Sequence, residues 1–259
     1  MKSKILLTIG LLLICKIGLS QRSDSLWNID QLSNVTMLLY QKNNDSIKFG
    51  TGTIINHKNK YYLLTSTHLS RELKKDSKIV FRTEGDKPYQ LDLRNLTKYM
   101  ELKWTDHPEV DISIIELIPY NSDIKQRFQQ WSFPSYLIFR GEEAPPRDQD
   151  ITFLGFPIID LEMKQFSLMS FSANPSSGLI KGIRSDNKKS CFFFYLDKPS
   201  IQGCSGGGVF FSVQKTMFYS INKTLLVGIV HGTTSDNTGG KLAAIIPSFY
   251  IWELLKDLK

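Results

Sequence analysis

From residue 31 to the C-terminus the chain is a succession of short runs dense in β-branched and aromatic residues, each ended by a polar or glycine-bearing turn. "NVTMLLYQ", "GTGTIIN", "KYYLLTSTH", "SKIVFRTE", "DISIIEL" and "DITFLGFP" come first; "CFFFYLD", "GGVFFSV", "LLVGIVHG" and "LAAIIPS" follow. Such side chains fit a pleated, half-buried surface, and runs this short and frequent predict many antiparallel strands, hence an all-β barrel or sandwich. No stretch of roughly 20 to 50 residues repeats, which disfavours propellers and solenoids. One helix is predicted at the end, where Ile251, Leu254, Leu255 and Leu258 recur at helical spacing after Pro247 and mark a face packed on a barrel wall. The stretch 121–147, containing "GEEAPPRDQD", is the most loop-like interior region and is expected to link two halves.

With 259 residues and 41% hydrophobic content, the chain can bury a substantial core. Its first twenty residues stand apart. Lys2 and Lys4 precede an apolar run, Ile5 to Cys15, that is too short to span a bilayer and is ended by Lys16. This pattern reads as a secretory signal peptide over 1–20, with Gly18 and Ser20 as the small residues before the cut. Ile14 is too bulky for a lipoprotein site at Cys15. The mature chain is then expected to be secreted or periplasmic, without a stable membrane span, and to comprise an N-terminal lobe over 21–125 and a C-terminal lobe over 126–259. Loss of Lys2, Lys4 and Lys16, with no acids, lowers the formal charge from +7 to +4. The remaining lysines are scattered, and no basic stripe or motif points to nucleic acid. Cys191 and Cys204 are too few for a disulfide scaffold. A bridge between them stays open, because their spacing does not set the separation of their Cα atoms.

Three segments carry chemistry. "IQGCSGGGVF" places Cys204 beside Ser205 in a run of glycines. A serine hydroxyl near neutral pH needs a base within hydrogen-bond reach and a third group to hold that base in one tautomer. Of the four histidines, His57, His68, His107 and His231, His68 ends an apolar strand that delivers it to a rigid edge. Asp111 opens the apolar strand "DISIIEL", whereas Asp106 and Glu109 lie in the polar turn before it. Neither the histidines nor the cysteines show zinc-ligand spacing, so no metal or other cofactor is expected.

Taken in order, "FGTGTII" with "YYLLTSTH", then "VDISIIEL", "GCSGGGVF" and "LVGIVHG" resemble the chymotrypsin-like serine peptidases in their bacterial trypsin-like form. The chain order His, Asp, Ser is that of chymotrypsin. "TFLGFP" and "AAIIPSFYIWELL" extend the resemblance from about residue 31 to the C-terminus. It implies two packed six-stranded antiparallel β-barrels, a C-terminal helix and a cleft between the barrels. Carried over residue by residue, it makes Ser205 the nucleophile, His68 the general base and then acid, and Asp111 the group that orients and stabilises the imidazolium. The N–H groups of Gly203 and Ser205 would form the oxyanion hole, where losing one donor costs about 2.7 to 4 kcal/mol. The resemblance also implies that Pro199, Val230, His231 and Gly232 line the substrate site, with peptide backbone added along the strand at 228–232. The frame of glycine, any residue, nucleophile, glycine, glycine fits Gly203 to Gly207 with Ser205, not Cys204, as nucleophile.

There are departures. Cys204 replaces the aspartate that in pancreatic-type enzymes pairs with a freshly cut N-terminus, so that activation switch is not expected. Ser66 and Thr67 replace two alanines and bring hydroxyls that can compete for hydrogen bonds to His68. Gly208 stands where a proline is common. Pro199, not an aspartate, occupies the floor of the primary pocket, with Asp197 two residues away, so a basic-side-chain preference is not supported. His231 falls one residue after the position that binds a substrate carboxylate in glutamyl endopeptidases, and a one-residue displacement points it to the opposite face. A cleft-wall or structural role is expected for it. The reading is thus an exported serine endopeptidase acting on peptide or protein substrates. The alternative is a non-catalytic peptide- or partner-binding module on the same fold. A quality-control protease of the HtrA type is disfavoured, because those carry a peptide-binding domain after the protease and this sequence stops at Lys259.

Overall fold

A computed structural model describes residues 26–43, 46–160, 162–184, 186–211 and 223–258. The expected signal peptide lies outside them. The first sheet holds eight strands: β1 (Thr36–Lys42), β2 (Ile47–His57), β3 (Lys60–Thr65), β4 (Lys78–Thr83), β5 (Lys87–Asp92), β6 (Thr105–Asp106), β7 (Ser113–Leu117) and β8 (Phe133–Pro134). Their spatial order is β5-β4-β1-β2-β3-β7-β6, antiparallel throughout, and β8 adds a parallel pairing to β2. The second sheet holds β9 (Ile151–Gly155), β10 (Met169–Ala173), β11 (Ile180–Ile183), β12 (Ser190–Leu196), β13 (Gly208–Phe211), β14 (Leu225–Ser235) and β15 (Lys241–Pro247) in the antiparallel order β10-β9-β13-β14-β15-β12-β11. Two antiparallel sheets and a terminal helix are therefore present as expected. Among the described residues the strands number eight and seven in place of six each. In the first sheet the excess is β6 and β8, pairings of two residues apiece.

Period-two geometry explains why the runs are almost continuously apolar. Along β2, β3 and β7, Ile54, Leu63 and Ile115 face a core belonging to the first sheet. Their neighbours Ile55, Leu64 and Ile114 face a second core shared between the sheets. The second sheet repeats the device: Phe153, Val209, Val230 and Ile245 enter its own core, while Leu154, Phe210, Ile229 and Ile246 enter the shared one. Strands covered on both faces have no polar side, so alternation disappears from the sequence. Each such Leu, Ile or Phe contributes about 1.5–3 kcal/mol of burial.

Among the described residues four α-helices complete the fold: α1 (Ile29–Asn34), α2 (Thr67–Ser70), α3 (Ser122–Gln130) and α4 (Phe249–Lys256). In α1 a capping box joins Asn28 and Gln31. The terminal helix α4 buries Tyr250, Ile251, Leu254 and Leu255 against the shared core, as the spacing predicted. The expected loop-like link begins instead with α3, capped by Asn121, whose Ile124 and Phe128 pack with Trp131 into the first core. A division at 125/126 would cut this helix. The chain leaves the first sheet after β8, and Ile138 bridges to Leu226 of the second.

Candidate active site

The base half is built at the end of β3. Ser66 is the N-cap of the single-turn helix α2 but makes no side-chain cap, so the first N–H groups of the turn need another acceptor. Asp111 supplies it from the segment before β7: its Oδ1 accepts the His68 backbone N–H at 2.9 Å, and its Oδ2 accepts from His68 Nδ1 at 2.7 Å. One carboxylate therefore caps the turn and fixes the tautomer that leaves Nε2 as the proton acceptor. Asp111 is fully buried, while the His68 side chain is 38% exposed. Burial alone pushes Asp111 up, but hydrogen bonds from His231 and His68 hold its carboxyl well below the usual carboxylate range. Burial pulls His68 down, and the hydrogen bond and negative charge of Asp111 outweigh it, so His68 is raised above the ordinary imidazole value. His68 Nε2 lies 3.4 Å from Ser66 Oγ, at the limit of a hydrogen bond, so one of the two extra hydroxyls does compete for the base. Thr67 Oγ1 instead accepts from Ser113.

The nucleophile half is the turn 203–207. A side chain at Gly203 (φ +94°) would put its Cβ 2.2 Å from the Phe156 carbonyl oxygen, and one at Gly206 (φ +83°) would sit 2.3 Å from the Thr51 carbonyl oxygen. Glycine is thus required on both flanks of the pair Cys204–Ser205 by contact as well as conformation. Cys204 is fully buried in the core of the second sheet and burial pushes its thiol up to about 11, so it is a protonated packing residue. Ser205 is half-buried and its Oγ donates to the His231 carbonyl at 3.1 Å. Among the described residues neither the Gly203 nor the Ser205 N–H enters a backbone hydrogen bond, whereas those of Cys204, Gly206 and Gly207 do. The two donors expected for an oxyanion are the two left uncommitted.

Thr51 bolts this turn to the first sheet. Its N–H donates to Ser205 O (3.0 Å), its Oγ1 donates to Gly203 O (2.7 Å) and accepts from Phe156 N (3.2 Å), and its carbonyl accepts from Thr65 Oγ1 (2.7 Å). "FGTGTII" marked the strand but not this residue's role.

His231 lies elsewhere than a substrate wall. On β14, Val230 is the last residue paired in register with β15 before a bulge, and pairing resumes at Gly232, so His231 is the extra residue. It shares the face of Ile229 toward the first sheet, and its Nδ1 reaches Asp111 Oδ2 at 2.7 Å. Arg184, 2% exposed, closes the cluster: it lies 3.5 Å from Asp111 Oδ1 and makes two bonds to Asp186 at 2.6 and 2.9 Å. Sequence reasoning missed Arg184, whose only local signal is the nearby acid in "RSDN". His57 and His107 serve elsewhere, on Ser135 Oγ and Glu253.

The other substrate-site expectations divide. Pro199 is exposed and Gly232 half-buried; Gly232 follows the residue whose carbonyl holds Ser205 Oγ. Val230 cannot line a cleft: its side chain is fully buried in the second core, and its carbonyl and N–H bond Gly206 and Gly207. Nor can 228–230 receive an added strand, because β13 and β15 flank it on both sides; pairing with β13 ends at Ile229. Asp197 takes the Asn174 N–H. Cys191 and Cys204 are both free thiols, in different cores.

Among the described residues one group could offer a metal three ligand atoms, His68, Asp111 and His231, all within 4.8 Å of one another. Both imidazoles, however, point their Nδ1 atoms at the carboxylate, and Arg184 holds a permanent positive charge beside its other oxygen. This arrangement is suited to holding protons, not a cation.

No protein-family model matches the chain, and no curated protein matches it. Solved structures do. The MamO protease domain from Magnetospirillum magneticum aligns with a TM-score of 0.58 at 12% identity, covering 88% of this chain and 98% of that one. The HtrA-type protease AlgW with a tripeptide gives 0.54 at 15% identity, covering 88% of this chain and 61% of that one. The inactivated protease paralogue S-I1 of the scabies mite gives 0.55 at 14% identity, covering 89% and 96%. Identities this low establish the fold, which is that of the chymotrypsin-like proteases.

Proposed function

We propose that this chain, carrying the chymotrypsin-like protease fold, is a serine endopeptidase that cleaves peptide bonds through an acyl-enzyme. The observation that carries the reading is the Asp111–His68 pair, one 2.7 Å hydrogen bond that leaves Nε2 as acceptor, set beside a glycine-bound Ser205. In the reaction Ser205 Oγ–H turns from the His231 carbonyl to His68 Nε2. Oγ attacks the substrate carbonyl as Nε2 takes its proton, and the N–H groups of Gly203 and Ser205 receive the oxyanion. The imidazolium then protonates the leaving amine as the C–N bond breaks. Water, deprotonated by the same nitrogen, attacks the ester carbonyl, and the imidazolium returns the proton to Ser205 Oγ as the C–Oγ bond breaks and the acid leaves. Substrate backbone would pair past Val230, along 231–235, where the β13 side of β14 carries no strand among the described residues. The leader-like residues 1–20 support export to a secreted or periplasmic site.

The Ser205 bond to a carbonyl in place of His68 favours the second reading, a peptide-binding module without catalysis. A fluorophosphonate probe separates the two. Covalent labelling of the wild type, lost in Ser205→Ala and His68→Ala, is expected of the endopeptidase. An unreactive wild type that still binds peptide would establish the module.

A further inference from the structure

The geometry points to His231 as a positioning residue for the base: its imidazole N–H shares the Asp111 oxygen used by His68 and sets how strongly that carboxylate holds the catalytic imidazolium. The inference rests on the endopeptidase reading for its kinetic consequence, though not for its structural one.

Both Nδ1 atoms lie 2.7 Å from Asp111 Oδ2, and the two rings stand nearly perpendicular with centroids 6.1 Å apart. An oxygen with two lone pairs can accept both N–H groups, but each donation withdraws charge from the other. The second donor therefore does two things. It stops the carboxylate from rotating about its own axis, which would misalign His68. It also lowers the charge available to the His68 imidazolium, so it tempers the base strength of Nε2.

The orientation of His231 follows from the strand. Residues of the β14 face toward the first sheet come every second position, and after Ile229 the next is His231. The bulge at this residue lets it leave register with β15 while Val230 keeps its bonds to Gly206 and Gly207. On its other sides His231 meets the Phe193 ring on β12, with centroids 5.3 Å apart. The charged or titratable groups around the cluster are His68 and Asp111 from the first sheet, Arg184 and Asp186 from the turn after β11, Glu109 ahead of Asp111, and Cys191 on β12. Arg184 is held by Asp186 and by the Glu109 carbonyl (2.9 Å). The movable donor on Oδ2, besides the base itself, is His231. The same residue's carbonyl holds Ser205 Oγ, so one bulged position touches both halves of the site.

The test pairs two substitutions with one measurement independent of activity. His231→Ala should lower kcat about 10- to 100-fold, as losses of orienting partners do. It should leave KM within about threefold and move the acid limb of the kcat/KM profile upward by about half a unit to one unit, because Asp111 then serves His68 alone. His231→Asn keeps a neutral N–H near the Nδ1 position and should restore kcat to within about threefold, with the acid limb back near the wild-type position. Equal defects in the two variants, or an acid limb that His231→Ala leaves in place, would overturn the assignment. In the wild type, proton NMR should show two hydrogen-bonded imidazole N–H resonances far downfield. Both should be lost in Asp111→Asn and one in each His231 variant. A single such resonance in the wild type would sink the inference even if the protein is an active protease. Two resonances in a protein that cleaves nothing would uphold the shared carboxylate while refuting the endopeptidase reading.

Discussion

The base half and the nucleophile half of the site are held together by opposite means. Around Asp111 each oxygen has partners: His68 N–H and Arg184 on Oδ1, His68 and His231 on Oδ2, with Asp111, Arg184 and His231 themselves buried. The turn 203–207 is fixed instead by steric exclusion, by Thr51 and by Val230, while the N–H groups of Gly203 and Ser205 are kept out of every backbone bond among the described residues. The difference reflects the task. A base must have its proton positions decided in advance, so its neighbours saturate it. An oxyanion exists only transiently, so its donors must be rigid yet unoccupied, and rigidity has to come from the backbone around them.

Three substitutions probe that contrast, in descending size. Asp111→Asn offers an amide in place of a shared acceptor and lets the wrong tautomer of His68 form; kcat should fall by about 10⁴-fold with little change in KM, measured on a peptide substrate. The same change has a stability signature. The folded pKa of Asp111 is depressed, so its contribution is complete above the unfolded value of about 3.9 and is lost as pH falls through the folded value. Denaturation midpoints of the wild type should therefore drop in acid more steeply than those of Asp111→Asn. A loss of activity under tenfold would mean that the saturated half is only scaffolding. Gly203→Ala forces a Cβ against the Phe156 carbonyl and should cost about 10²- to 10³-fold in kcat by turning an oxyanion donor aside. If kcat survives while Tm drops, exclusion serves folding and not donor placement. Cys204→Ala should lower stability by about 1 kcal/mol through lost packing and leave kcat within about twofold. Inactivation of the wild type by a thiol reagent, absent in Cys204→Ala, would instead make the buried thiol part of the chemistry.

Much of the fold was legible because the strands are short, apolar on both faces and bounded by turns, and because the terminal helix shows its stripe. Helix α3 was hidden: Ile124 and Phe128 are its only two buried positions, too few to display a period, and the proline-rich stretch after it dominated the composition. His68, Asp111 and Ser205 were readable as local motifs, each at the end of a strand or in a glycine turn. Arg184 and the Asp111 bond of His231 were not: the first depends on where the turn after β11 meets the first sheet, the second on which face of a bulged strand does so. Val230 was misjudged for a related reason. Its backbone is hydrogen-bonded to the nucleophile turn, yet its side chain still alternates into the second core.

The hydrogen bonds of Thr51 carry a consequence for how the chain matures. His68 and Asp111 both lie within the first 120 residues, but Arg184 and His231 complete the partners of Asp111, and the turn bearing Ser205 is anchored by a residue of the first sheet and by the far-downstream β14. A partly folded molecule thus holds a base whose carboxylate lacks two of its partners, or a glycine turn without its clasp. On the endopeptidase reading, hydrolytic competence then arrives in one step, at the docking of the two sheets. Assembly itself would then act as the safety catch, restraining a newly made chain from cutting its neighbours.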